Sequence, residues 1–401
     1  MSSSGLSKER LRRMHEAMEG HVARGAMPGL VTLISRRGEV HVDAVGMKAV
    51  AGSDPMRRDT LFRIASMTKP MTAAAAMILV EECTLRLDDP VDRLLPELAD
   101  RRVLKRLDGA LDDTVPARRP ITLRDLLTLR MGLGHIMAPS SDYPIRKALN
   151  EQQLLLGPPH PQELPTPDEW IRRVAAVPLM HHPGEMWMYD LGLDVLGVLI
   201  ARAAGRPLEA FMRERLFEPL GMKDTGFSVP AEAIDRLATS YAPNPKTGAL
   251  DLYDVAKGGQ WSRPPAFASG SGGLVSTADD CLAFAQMMLN KGRHGRERIL
   301  SRPSIELMTT DHLTPEQKAG NRIFFGENCG WGFGMSVINR RGDLAESPGT
   351  FGWDGGLGTS FRSDPREELV GVLLTQSAFT SPSPPVVLLD FWTSVYQAID
   401  D

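Results

Sequence analysis

The chain has 401 residues, 42% of them apolar and 24% charged, with a formal net charge of -4. That composition assures a buried core, and the length favours one large α/β unit carrying an inserted domain. Mixed, mildly acidic charge argues against nucleic acid as the main partner, and the longest apolar run, Met71 to Val80, is about half of a membrane span.

Met1-Ser2-Ser3-Ser4-Gly5-Leu6-Ser7-Lys8 lacks the charged-then-apolar pattern of a secretory signal, so a cytosolic protein with no membrane partner is expected. Leu11, Met14, Met18 and Val22 recur at helical spacing and predict a first helix from Ser7 to Arg24,. Pro28-Gly29 stops it. Two β-rich runs follow, Leu30 to Ile34 and Val40 to Val45, with Arg36-Arg37-Gly38-Glu39 between them, the outline of a hairpin,. A long Ala-rich segment then predicts a helix beginning near Ser66.

From about Leu87 to Ser262 helical patterns dominate, broken by Pro- and Gly-rich connections, with few strand signals. Thr122 is placed to cap an amphipathic turn at Leu123 to Leu127. Residues 137–167 contain seven prolines and predict a long surface excursion,. Helical patterning resumes from Gly192 to Ala204. The last third returns to strands at Gly334 to Asn339, Leu357 to Arg362 and Leu369 to Thr375, and closes with an amphipathic helix, Val386 to Ile399. Strands at both ends with helices between them predict one sheet assembled from residues 1–86 and 263–401, and an inserted, mostly helical domain over 87–262. A ligand site is then expected in the cleft between them. Cys83, Cys281 and Cys329 show neither metal-ligand nor disulfide spacing, so buried free thiols are expected.

The chemistry concentrates in Ser66-Met67-Thr68-Lys69. On a helix, residues three apart share a face. A neutral lysine amine there can take the serine proton as the hydroxyl attacks a carbonyl, which is enough to make an acyl-enzyme without histidine. A helix start at Ser66 also aims unpaired N–H groups at an incoming anion. Lys69 is expected to have its pKa depressed by burial and a nearby cation, into the range of a useful base. A bare Ser-x-x-Lys is common, so its surroundings carry the weight.

The run Thr60-Leu61-Phe62-Arg63-Ile64-Ala65-Ser66-Met67-Thr68-Lys69-Pro70 resembles the nucleophile segment of class C serine β-lactamases. It is also similar to that of their relatives, the family VIII carboxylesterases and the penicillin-binding D-alanyl peptidases. Pro28-Gly29 with its hairpin, Ile121 to Leu127, Pro183-Gly184-Glu185-Met186-Trp187-Met188-Tyr189 and Phe217-Glu218-Pro219-Leu220-Gly221-Met222 resemble family patterns too, so the likeness spans nearly the whole chain. It implies an α/β (α+β) fold of the β-lactamase/transpeptidase kind: an antiparallel sheet flanked by terminal helices, with a mostly helical insertion.

The resemblance implies Ser66 as nucleophile, with Lys69 and Tyr189 as the acid/base pair. The asparagine that follows the family tyrosine two residues on is replaced by Leu191, and the family Lys-Thr-Gly by Trp353-Asp354-Gly355. Leu191 cannot hydrogen-bond an acylamido group, and Trp353 removes the cation that pairs with a β-lactam or peptide carboxylate. Tryptophan at that point resembles the carboxylesterases. Trp353, Asp354, Gly355 and Leu191 are therefore expected to bind substrate, and the N–H groups of Ser66 and Gly356 to form an oxyanion hole.

The expected activity is hydrolysis of short- to medium-chain acyl esters of small molecules, with no metal or organic cofactor. A β-lactamase, D-alanyl peptidase or acyltransferase using the same site is the alternative, and a silent binding module the remote one. No Gly-x-Ser-x-Gly elbow occurs, which argues against an α/β-hydrolase,. Adjacent His181-His182 cannot converge on one ion. Trp261, Phe267, Trp331 and Phe333 are candidates for an acyl pocket, with core packing at least as good an account of each.

Overall fold

A computed structural model of the protein describes residues 5–136, 143–154 and 157–401. Its centre is a seven-stranded antiparallel sheet drawn from the two ends of the chain. The strands are β1 (Gly29–Arg36), β2 (Glu39–Gly46), β3 (Cys329–Trp331), β4 (Ser336–Ile338), β5 (Phe351–Gly355), β6 (Thr359–Asp364) and β7 (Leu369–Thr375). They lie in the order β3-β4-β5-β6-β7-β1-β2. The N-terminal hairpin thus joins the C-terminal meander through β1 and β7, with Leu33 opposite Val372.

Side chains alternate across the sheet with period two, and both faces are covered. Leu30, Ile34, Leu369 and Leu373 pack with Met14, Met18, Phe391 and Val395 of the terminal helices. Those helices are α1 (Lys8–Ala23), capped by the Ser7 hydroxyl, and, at the other end of the chain, Val386–Gln397. Gly371 of β7 lets the Trp392 indole lie against the strand, since a Cβ there would come within 2.7 Å of the ring. Val31, Leu33, Val370, Val372 and Leu374 point the other way, into the large core.

That core contains α2 (Thr68–Glu81), whose first twelve residues are all buried. A helix apolar on every side belongs inside a protein, and this one carries Lys69 in with it. Thr122 caps α3 (Leu123–Leu127) through a capping box with Asp125, as the sequence predicts. The excursion over residues 137–167 is less structureless than expected: it holds α4 (Pro144–Glu151), started by a proline at its first position,, while residues 137–142 and 155–156 lie outside the described part. Next, α5 (Leu191–Ala204) packs along α2.

Three features depart from the sequence reading. Strand β5, Phe-Gly-Trp-Asp-Gly, was hidden by its two glycines and a charge, which read as turn signals,. The middle of the chain contains two short hairpins, Arg102–Leu104 with Thr114–Pro116 and Ser240–Pro243 with Leu250–Asp254. Only Cys281 is a buried thiol; Cys329 is half-buried, and Cys83 is exposed at a left-handed turn (φ 59°) that carries the chain out of α2. Among the described residues, no helix is long and apolar enough to cross a membrane.

Candidate active site

The nucleophile turn is held from both sides. Phe62 and Arg63 pair with Ser276 and Val275, and buried Arg63 donates from Nε to Asp254 at 2.7 Å. Ala65 then takes a left-handed conformation (φ 43°), and a 3-10 turn over Ala65–Met67 runs into α2. Such a conformation costs a non-glycine residue about 1–3 kcal/mol, so the surrounding packing must impose it. Ser66 therefore sits in a first turn, whose N–H groups have no acceptor within the helix.

Lys69 follows on the same face and is fully buried. Its Nζ donates to Ser66 Oγ at 3.1 Å, to the Ser271 carbonyl at 2.8 Å and to the Asp190 carboxylate. An ammonium has three protons and these are three acceptors. The sequence expectation of a lysine depressed by a neighbouring cation is therefore corrected. Burial does pull the Lys69 pKa down, but the Asp190 carboxylate, with help from Tyr189 and Asp194, more than offsets it and holds Lys69 above the ordinary lysine value. The Gly270-Ser271-Gly272-Gly273 loop reaches the cleft and supplies the carbonyl.

Tyr189 and Asp190 stand at the start of α5. Asp190 is left-handed (φ 101°), a second strained non-glycine residue beside the chemistry,. Asp194, one turn on, accepts from Ser269 Oγ at 2.7 Å and from the Ser271 N–H at 3.0 Å. Burial and the nearby Asp190 charge push its carboxyl up to about 6.

The Tyr189 ring lies 4.6 Å from Lys69 Nζ. Its hydroxyl accepts from the Trp353 indole N–H at 2.8 Å, and it is also hydrogen-bonded to Ser66. Burial raises the phenol above its ordinary pKa, although Lys69 pulls the other way, so Tyr189 carries its proton at neutral pH. Phe324 stacks on Tyr189 at 5.2 Å, and Trp331 meets Trp353 edge-on at 4.7 Å. This network fixes the Trp353 ring.

Ser66 opens into two adjoining cavities. One, of about 320 Å³, is lined by Tyr189, Trp353, Phe324, Phe379, His135 and Gly356. The other, of about 440 Å³, is lined by Asp190, Leu191, Asp194, Glu163, Trp170 and Ser271 among others. Gly157, Pro158 and Pro159 border both. Among the described residues, neither cavity is lined by a lysine or arginine side chain.

The structure brings together Ser66, Lys69, Tyr189, Trp353, Leu191 and Gly356. Asp354 reaches the aromatic cavity but is tied to Arg362 at 2.8 and 3.0 Å and to Ser360 at 2.5 Å. Gly355 is not among the residues lining either cavity; it packs against the nucleophile turn, where a Cβ would come 2.2 Å from the Ile64 carbonyl. Trp261, Phe267, Trp331 and Phe333 are core residues, and Trp261 donates to the Gly273 carbonyl at 2.8 Å. Sequence reasoning missed Asp190, His135, Phe324 and Phe379. Only Asp190 left a signal, a carboxylate directly after the motif tyrosine.

A two-ended antiparallel sheet, a buried helix carrying Ser-x-x-Lys and a facing tyrosine define the β-lactamase-like class of serine enzymes. Residues 14–387 match the family described as Beta-lactamase, and the chain belongs to that family. It is 41% identical over 367 residues to Protein Rv1367c of Mycobacterium tuberculosis (88% of this chain, 86% of that one). It is 33% identical over 383 residues to Esterase EstB of Burkholderia gladioli (90% and 88%). The solved structure of EstCE1, "a hydrolase with promiscuous acyltransferase activity", superposes with a TM-score of 0.77 at 28% identity, covering 96% of this chain and 98% of that one. The protein is a serine hydrolase of the hydrolase and acyltransferase branch of this fold.

Proposed function

We propose that the protein is a carboxylesterase that cleaves uncharged esters with short to medium acyl chains through an acyl-enzyme on Ser66. The observation that carries this reading is that, among the described residues, no lysine or arginine lines either cavity, and Trp353, Asp190, Asp194 and Glu163 stand there instead. A cleft of that charge repels a carboxylate and leaves it without a partner, which disfavours β-lactams and peptide C-termini. The aromatic wall suits an apolar acyl group.

In this mechanism Ser66 Oγ attacks the ester carbonyl and its proton passes to Lys69. The N–H groups of Ser66 and Gly356 hold the oxyanion, each worth roughly 3–4 kcal/mol. Gly356 lines the aromatic cavity together with Ser66, which supports that role. Tyr189, a neutral phenol between Ser66 and Trp353, gives its proton to the leaving alkoxide and recovers one from Lys69. Water then attacks the acyl-enzyme with the same pair as base. EstCE1 supports a second outcome of the same chemistry, in which an alcohol held in the cleft replaces water and a new ester leaves.

Side-by-side assays with p-nitrophenyl butyrate and nitrocefin test the reading, with Ser66→Ala as control. Ester turnover that vanishes in the variant and exceeds nitrocefin turnover is expected. Fast nitrocefin hydrolysis with negligible ester turnover would overturn it. Adding an alcohol acceptor and assaying for a new ester measures the transfer branch.

A further inference from the structure

All three protons of the Lys69 ammonium are engaged, so it has no lone pair with which to receive the Ser66 proton. One proton must leave first, and Lys69 is fully buried, away from solvent. Its three partners are Ser66, the Ser271 carbonyl and Asp190. Ser66 is the group to be deprotonated, and a peptide carbonyl is far too weak a base. Tyr189, over whose ring the ammonium sits, already carries its proton. Only the Asp190 carboxylate is left.

We propose that Asp190 is a positioning residue that acts through Lys69: it accepts one ammonium proton and so frees the amine to deprotonate Ser66. This rests on the esterase reading above and extends it. In the step, a Lys69 N–H bond breaks and an Asp190 O–H bond forms, converting the ion pair to a neutral pair with no net gain or loss of protons. The freed amine takes the Ser66 hydroxyl proton, the Oγ–C bond forms and the carbonyl π electrons move to oxygen. Collapse of the tetrahedral intermediate expels an alkoxide that receives its proton through Tyr189. Asp190 then returns its proton to Lys69.

The groups facing this pair favour the transfer. Asp194 on the same helix is held by the neutral donors Ser269 and Ser271 rather than by Lys69. His135, opposite, is pushed by burial towards its neutral form and so provides no competing cation. Glu163 and His160 pair with each other at 3.7 Å at the exposed side of the cavity. Burial penalises the charged pair relative to the neutral one. The strained backbone of Asp190 is the local cost of holding the carboxylate there.

The test follows the rate of Ser66 labelling by a fluorophosphonate against pH, in the whole protein and in Asp190→Asn. In the wild type the proton is handed to Asp190 within the pair, so labelling should not need a free Lys69 amine beforehand and should persist well into the acid range. Asparagine keeps an oxygen near Nζ but cannot take the proton, so the variant must wait for free amine. Its acid limb should move up by at least one pH unit, with a tenfold or greater loss at neutral pH that recovers in alkali. Asp190→Gly, which relaxes the left-handed backbone, should shift the same way and guards against a misfolded first variant. A uniform loss at all pH values, an unmoved limb or a limb moved down would overturn the role of Asp190. Wild-type protein unlabelled at Ser66 at every pH would instead overturn the esterase reading itself.

Discussion

The two walls of the cleft are made of opposite chemistry. On one side Lys69, Asp190, Asp194 and the Ser271 backbone form a buried ionic cluster with every ammonium proton engaged. On the other, Trp353, Phe324 and Phe379 form an apolar wall, and Tyr189 stands at the seam between them. The ionic wall handles protons, and the aromatic wall chooses what is acylated. The first should govern kcat and its pH dependence, the second KM and selectivity.

The largest effects should come from the ionic side and the seam. Lys69→Ala should lower kcat for p-nitrophenyl butyrate by about 10³-fold and Tyr189→Phe by about 10²-fold, within the usual range for acid–base groups. Circular dichroism should stay unchanged. Turnover at the wild-type level in either variant would remove that residue from the chemistry.

Gly355→Ala comes next, although it touches neither wall. The added Cβ would meet the Ile64 carbonyl and Thr359 Oγ1, each at 2.2 Å, and push the nucleophile turn from its place against β5. Misplacement by about 1 Å costs roughly 10²-fold in rate. A crystal structure of the variant with Ser66 unmoved and full activity would break the link between strand packing and catalysis.

Trp353→Lys sharpens the contrast by putting a cation on the apolar wall. It should cost about tenfold in kcat/KM for neutral esters, the scale of a lost apolar contact, while tightening binding of carboxylate-bearing substrates. Paired kinetics on neutral and carboxylate esters would decide it, with the reverse preference contradicting the pocket argument.

The smallest effect concerns stability. Asp194 has its native carboxyl raised to about 6, against about 3.9 unfolded. Between those values the native state binds a proton that the unfolded state does not, so Asp194 becomes a growing liability as pH rises from about 4 to 6. Asp194→Asn should therefore raise Tm relative to wild type by about 2 °C more at pH 7.5 than at pH 4.5. A Tm difference independent of pH would show that the charge of Asp194 is not what burial penalises.

Local signals located what depended on neighbours in the chain. The first helix, the β1–β2 hairpin, the Thr122 cap and the terminal helix follow from spacing and capping residues. Ser66, Lys69 and Tyr189 were legible because their flanking runs resemble family segments. Strand β5 was not, because a strand built to touch the nucleophile turn needs glycines, and glycines read as turns. Phe324 and Phe379 come from distant segments and carry no pattern of their own. Asp190 was visible as a letter but not as a partner of Lys69, which is 121 residues away.

By itself, then, the sequence determined the terminal helices, the first hairpin, the two-ended sheet and the side-chain types needed for acyl transfer, since periodicity, caps and short motifs act over a few residues. Tertiary structure alone decided the charge on Lys69. That charge depends on which groups surround a buried amine, and folding brought a carboxylate to it where the sequence reading had expected a cation.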